Sequence, residues 1–187
     1  MTLKIDKNWT LFLDRDGVIN ERLPGDYVKS IEQFKFTEGC LEALAMFARF
    51  FHPIIIVTNQ QGVGKGLMSL EELENIHNYL ISEVSKAGGR IDKIYVSPYL
   101  QSERHFTRKP SVGMGIAARK QFKDINFRKS IMAGDSYSDM LFGKRLGMKT
   151  VFIGNTEDAR KMGTLADYCY PDLFALANAL KNCSQIS

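Results

Sequence analysis

Cysteine is scarce in this chain of 187 residues: Cys40, Cys169 and Cys183 stand far apart. An odd set of isolated thiols gives neither a disulfide scaffold nor the paired spacing of a zinc site, so free thiols in a reducing compartment are expected. Long apolar runs are absent too, since nothing approaches the roughly 20 residues of a membrane-spanning helix. The opening Met1–Lys7 has no apolar core of a secretory leader. A cytoplasmic protein without membrane contact is expected. Basic residues outnumber acidic ones only 25 to 21, a net charge of +4, and they are dispersed. No basic tract suited to nucleic acid results, whereas a small anionic substrate is compatible with that balance. Repeats and low-complexity stretches are also missing. What remains is a chain with 44% hydrophobic residues, read as one domain over residues 1–187 with enough length to bury a sizeable core.

The apolar pattern alternates between two periods. Trp9–Leu13, the β-branched run Pro53–Val57, Lys93–Val96, Ser130–Ala133 and Lys149–Ile153 read as strands, the second as one covered on both faces. Between them, Leu41, Leu44, Ala45, Ala48 and Phe51 recur at helical spacing, with Thr37 and Glu38 at the helix start. Ser69 and Glu72 have capping-box spacing before a face of Leu70, Leu73, Ile76, His77, Leu80 and Val84, which Gly88-Gly89 ends. Met114–Phe122 and a segment capped by Asp135 or Ser136 and running to Leu146 also read as helices. A last helix begins near Pro171, with Leu173, Leu176, Ala177 and Leu180 inward. Residues 18–36 show no period and read as an active-site loop. Such alternation predicts an α/β fold, a doubly wound parallel sheet with helices on both faces, and a ligand site outside the carboxyl ends of the strands.

Polar chemistry collects at those strand ends. The run Leu11-Phe12-Leu13 stops at Asp14-Arg15-Asp16-Gly17, where strand alternation lets Asp14 and Asp16 point the same way and glycine lets the chain turn. Carboxylates at the mouth of a core strand suit metal and phosphate chemistry, because burying an unpaired one is costly. Taken alone, D-x-D-G reads equally as an acidic turn. Thr58-Asn59-Gln60-Gln61 closes the second strand, and Gly134-Asp135-Ser136 closes a later one. The segment Gly62-Val63-Gly64-Lys65-Gly66 is no P-loop: its first glycine lies too close to Lys65, and Gly66 stands where a hydroxyl would bind Mg²⁺. A flexible loop over the substrate, or a plain turn, fits it better.

Four separated signals, Asp14-x-Asp16-Gly17, Thr58-Asn59-Gln60, Arg108-Lys109-Pro110 and Gly134-Asp135-Ser136-Tyr137-Ser138-Asp139, occur in an order that resembles the haloacid dehalogenase-like (HAD) hydrolases, specifically their phosphatases. The resemblance spans Thr10 to Gly154 and implies a Rossmann-like HAD fold. It further implies that Asp14 attacks phosphorus and that Asp16 protonates the leaving oxygen and then activates water. Mg²⁺ would sit between Asp14, the backbone carbonyl of Asp16, and Asp135. Asp139 would orient Lys109 or a metal-bound water from behind. Thr58 and Lys109 would hold the phosphoryl oxygens.

The wording of these motifs, with Ile19-Asn20 and Gly113-Met114, resembles the group without a large cap domain that contains heptose 1,7-bisphosphate 7-phosphatases and histidinol-phosphatases, and favours the former. By that likeness Arg108 would clamp the remote part of the substrate, its second phosphate, while Asp26, Tyr27, Asn59, Gln60 and Gln61 would hold the sugar. Relatives carry a zinc-bearing loop before the Arg-Lys-Pro motif; here residues 97–107 contain no cysteine. No zinc is expected, His105 is expected to be solvated, and Tyr99 and Phe106 are expected to hold the loop by packing. Two other readings remain open, a 3′-phosphatase resembling that of polynucleotide kinases and an inactive domain that only binds a phosphorylated ligand or a partner. All four motifs keep the residue types the chemistry requires, so nothing in the sequence favours the inactive domain.

Overall fold

The computed structural model describes residues 5–6 and 8–184, with side chains to Lys181. The expectations for residues 1–4 and Lys7 and for the Cys183 thiol fall outside those residues. Six parallel strands form the sheet: β1 (Trp9–Leu13), β2 (Phe51–Asn59), β3 (Lys93–Ser97), β4 (Ser130–Gly134), β5 (Lys149–Ile153) and β6 (Tyr168–Tyr170). Their order is β3-β2-β1-β4-β5-β6. The chain therefore winds outward in one direction through β3, then returns to the centre and winds the other way from β4. Between β1 and β4 lies the crevice where doubly wound sheets bind ligands.

Strand alternation sorts the core into two layers. On one face Leu11, Leu13, Ile54, Ile56, Ile131 and Ala133 pack beneath α1 (Cys40–Phe47), α3 (Leu70–Lys86) and α7 (Leu173–Ser184). On the other, Phe12, Ile55, Val57 and Met132 pack against α4 (Gly113–Gln121) and α5 (Tyr137–Leu146). Both layers being covered explains why the central strands read as unbroken apolar runs rather than alternating ones.

Several local expectations need correction. The buried face of α1 is Cys40, Ala43, Leu44 and Phe47, not the row ending at Phe51. Phe51 instead begins β2 and packs edge-on against Phe47. The cap of α1 is Gly39, in the left-handed region at φ 66°, because the Thr37 hydroxyl is turned to the Val18 carbonyl at 2.9 Å. The Ser69–Glu72 capping box of α3 is present, yet Leu70 is 63% exposed because it begins the helix on its outer side. Pro171 lies outside α7, whose Ala175 N–H donates to the Asp172 carboxylate instead. Three elements had no periodic signal: α2 (Gln61–Gly64), α6 (Thr156–Lys161) and β6, all of six residues or fewer. No helix among the described residues is long and apolar enough to cross a membrane.

Candidate active site

β1 runs into the site without a break, because the Asp14 N–H still donates to the Ala133 carbonyl of β4 at 3.0 Å. The chain then folds back: the N–H groups of Val18, Ile19 and Asn20 all converge on the Arg15 carbonyl. Gly17 makes this turn at φ 87°, and a Cβ there would overlap the Asp135 carboxylate. Gly17→Ala is accordingly expected to displace Asp135 and to cost at least tenfold in kcat/KM, a change of about 1.4 kcal/mol or more in the barrier, measurable by steady-state phosphate release.

The first and last motifs meet through Lys109, which is 3% exposed. Its Nζ lies 2.8 Å from Asp14 Oδ1 and 2.5 Å from Asp139 Oδ1. Burial disfavours the charged form of Lys109, but the two carboxylates outweigh it and raise its pKa. Lys109 is itself fixed by Asn59, whose side-chain amide accepts from the Lys109 N–H at 3.0 Å and donates to its carbonyl at 3.1 Å. The second Asp139 oxygen closes the capping box at the start of α5, accepting from the Ser136 N–H at 3.1 Å and hydroxyl at 2.6 Å.

Asp14, Asp135 and Asp139 bring one carboxylate oxygen each within 4.8 Å of one another. Burial and then the Asp139 charge push the Asp14 carboxyl up to about 7, against the pull of Lys109. Burial likewise raises Asp135 to about 6, opposed by Arg22. Arg22 carries no motif, yet its Nη2 donates to Asp135 Oδ1 at 2.8 Å and to the Asp16 carbonyl at 3.3 Å. Lys109 and Ser136 engage both Asp139 oxygens, whereas Asp14 and Asp135 each have only Oδ1 engaged, by Lys109 and by the exposed Arg22. Asp14 and Asp135, with the Asp16 carbonyl, which accepts only a long contact from Arg22, are the donors best placed for a cation. All are oxygen, the set that a hard divalent ion such as Mg²⁺ takes.

Asp16 differs electrostatically from its neighbours. Burial works to raise its pKa, but the Arg15 guanidinium and the amides of Asn20 and Gln60 hold it below the ordinary carboxylate range. Oδ1 accepts from Arg15 Nη2 at 2.9 Å and from Asn20 Nδ2 at 3.0 Å, and Oδ2 accepts from Gln60 Nε2 at 2.6 Å. The site thus contains two acids pushed apart, Asp14 toward neutrality and Asp16 toward the anion, a separation typical of catalytic carboxylates.

These groups open onto a cavity of about 390 Å³ bordered by Asp14, Asp16, Asp26, Tyr27, Asn59 and Gln61, with Arg22, Arg108 and Lys109 supplying its positive charge. Two expected contacts are not on its wall. Thr58 and Gln60 are each 1% exposed, and the Gln60 amide is used on Asp16, on the Thr58 hydroxyl at 2.8 Å, and on Arg15 at 3.2 Å. Gln60 connects the second motif to the first from beneath. Asp26 pairs with Lys29 at 2.8 Å, and Tyr27 accepts from Gln61 Nε2 at 2.8 Å, joining the loop to α2. Arg108 donates to the Tyr99 carbonyl at 3.0 Å while keeping its place on the cavity.

That same loop corrects an expectation. His105 is not merely solvated: it stacks on Tyr99 with ring centroids 3.4 Å apart and binds the Thr107 hydroxyl at 2.8 Å. Phe106, expected to anchor the loop, is 57% exposed. Polar contacts and one stacked pair hold this segment, since the Phe106 ring lies only along the start of α4 beside Gly113.

Comparison with known proteins gives a consistent result. Residues 106–176 match the HAD-hydrolase-like family. The D-glycero-alpha-D-manno-heptose-1,7-bisphosphate 7-phosphatase of Mycobacterium bovis is 35% identical over 173 residues, 92% of this chain and 91% of its own. Its namesake in Campylobacter jejuni is 36% identical over 81% of this chain and 85% of its own. Among solved structures, D,D-heptose 1,7-bisphosphate phosphatase from B. bronchiseptica, complexed with magnesium and phosphate, superposes with a TM-score of 0.84 at 27% identity, covering 93% of this chain and 98% of its own.

Proposed function

Because this chain belongs to the HAD-like phosphatases, phosphoric monoester hydrolases with a parallel Rossmann-like sheet, we propose that it is one phosphatase domain that releases the 7-phosphate of a heptose 1,7-bisphosphate. The observation that carries this reading is the buried Asp14–Lys109–Asp139 ion triad beside Asp135, at the crevice where the sheet reverses direction. Substrate class comes from the names of its relatives, with coverage of nine-tenths of each chain in the M. bovis protein. A cavity whose positive charge comes from Arg22, Arg108 and Lys109 supports an anionic sugar ester.

In this reading Asp14 attacks phosphorus, forming an Asp14 Oδ–P bond as the bond to the ester oxygen breaks. Asp16 gives its proton to that departing oxygen, then takes one from the water that displaces the Asp14 carboxylate and releases inorganic phosphate. Arg15, Asn20 and Gln60 favour ionised Asp16, the form required in the second step. The acid form is favoured as the substrate dianion approaches, since a nearby like charge raises a carboxyl pKa. Lys109 meets the phosphoryl oxygens and holds Asp14 in line. Asp14, Asp135 and the Asp16 carbonyl would hold Mg²⁺, which when bound offsets the repulsion between the Asp14 carboxylate and the phosphate. Arg108 is assigned to the remote phosphate, and Asp26, Tyr27 and Asn59 to the sugar. Thr58 and Gln60 are assigned a supporting role beneath the floor of the site, and no zinc is assigned to the loop of residues 97–107.

The test is a purified-protein panel of heptose 1,7-bisphosphates, histidinol phosphate and a 3′-phosphorylated oligonucleotide, each measured as kcat/KM with and without a chelator. Turnover is expected to vanish with chelator, to return with Mg²⁺, and to be at least tenfold greater on the heptose ester than on either rival, which corresponds to about 1.4 kcal/mol of discrimination. Preference for histidinol phosphate or the oligonucleotide would overturn the substrate, and metal-independent turnover would overturn the mechanism.

A further inference from the structure

One buried titratable side chain has no part in the chemistry above. His77, on α3, is 8% exposed, and its Nε2 lies 3.1 Å from Arg15 Nη1. Arg15, between the two acids of the first motif, is fully buried. Its other arm, Nη2, donates to Asp16 Oδ1 at 2.9 Å and to Gln60 Oε1 at 3.2 Å. A guanidinium has donors only, so the contact with His77 requires an imidazole that accepts at Nε2 and carries its proton on Nδ1. Burial and the Arg15 charge agree with this, pushing the His77 pKa down to about 3. The ring is a neutral acceptor throughout the working pH range.

We infer that His77 is a positioning residue for Asp16, acting through Arg15. A buried N–H deprived of its acceptor is costly, so a guanidinium that loses His77 shifts to find another partner. Any such shift moves the arm that holds Asp16 Oδ1. Leu73, Ile76, Leu80 and Val84 bury the same face of α3, which fixes the imidazole by packing. The rigid helix thereby sets the direction of a carboxylate 61 positions away in sequence, read from His77 and Asp16. The hydrogen bonds of Asn20 and Gln60 keep Asp16 inside the site, so the expected loss is one of aim.

This inference rests on the acid–base role proposed for Asp16, and leaving-group dependence separates the two. An alkyl ester needs a proton on its departing oxygen, whereas p-nitrophenol leaves as a stable phenolate. His77→Leu is expected to lower kcat/KM roughly 10- to 30-fold on the best alkyl phosphate of the panel, and less than about threefold on p-nitrophenyl phosphate, a fraction of what a general acid supplies. His77→Gln, which restores an acceptor, is expected to recover the alkyl activity to within about threefold of the wild type. If the leucine variant does not fold, His77→Phe keeps a ring without an acceptor and takes its place. Equal losses on both esters, no loss, or no recovery with glutamine would each overturn the inference. Asp16→Asn is the control: a selective alkyl loss there without one at His77 refutes only the positioning role, while no selective loss at Asp16 refutes the acid assignment itself and the inference with it.

Discussion

Asp14→Asn is expected to fold and to retain less than about one part in 10⁴ of the wild-type kcat, the scale on which loss of a covalent nucleophile is felt. The amide keeps an oxygen for the two donors that Asp14 Oδ1 now serves, the Arg15 N–H at 2.8 Å and Lys109 Nζ at 2.8 Å. It cannot form an acyl phosphate. The same variant should alter the pH dependence of stability. In the folded chain Asp14 titrates near 7, raised from an ordinary 3.8 by burial and the Asp139 charge. The folded state therefore binds this proton more tightly than the unfolded one. Its contribution is fully present below pH 3.8 and is lost as the pH rises through 7. With chelator present, the wild-type melting temperature should fall relative to that of Asp14→Asn between those limits. Parallel melting curves would refute the burial of an ionisable Asp14, and near-normal turnover by the variant would refute it as the nucleophile.

Lys109→Met should lower both stability and rate. Lys109 is the ammonium between two buried acids, and its removal leaves Asp14 and Asp139 facing each other without it. Breaking a buried pair in this way costs about 3–5 kcal/mol. Turnover should fall about 10³-fold in addition, the scale of losing a preorganised charge at developing negative charge. Denaturation midpoints and initial rates measure the two losses separately. Adding Asp139→Asn to Lys109→Met removes one orphaned carboxylate and should recover part of the stability but none of the rate. Arginine is a poor replacement, because a planar fork does not fit a slot shaped for a point charge. A stable, active Lys109→Met protein would show that the triad is dispensable.

How much of this was legible in the sequence depended on range. The central strands were plain because burial on two faces leaves an unbroken apolar run, and α3 because its capping box and period of 3.6 agree. Three of the four motifs were legible for a related reason: the first, second and last sit where a core strand ends, so a polar residue there contrasts with its surroundings, whereas Arg108-Lys109-Pro110 lies in the loop between β3 and α4 and stood out only through the resemblance. Arg22 gave no signal at all, as an arginine in an aperiodic loop whose partner, Asp135, is 113 positions away. Gln60 was read as facing the sugar, since strand-end amides point either way until the neighbouring strand is placed. His77 was legible only as part of a buried face. Its partner lies on the other side of the layer, beyond the reach of helical periodicity. The loop of residues 97–107 was misjudged in part: Tyr99 does pack there, but on His105, a pairing that no periodic pattern signals, and Phe106 is exposed.

The reversal of strand order between β1 and β4 bears on how the enzyme comes into being. Asp14 leaves the ribosome well before Lys109, Asp135 and Asp139, which follow it by 95, 121 and 125 positions in the sequence. The first strand must wait, paired on one edge with β2, until β4 closes its other side. Closing so long a loop is entropically slow. Catalytic competence is thus acquired late, and a nascent chain stalled before β4 carries the nucleophile without the means to use it.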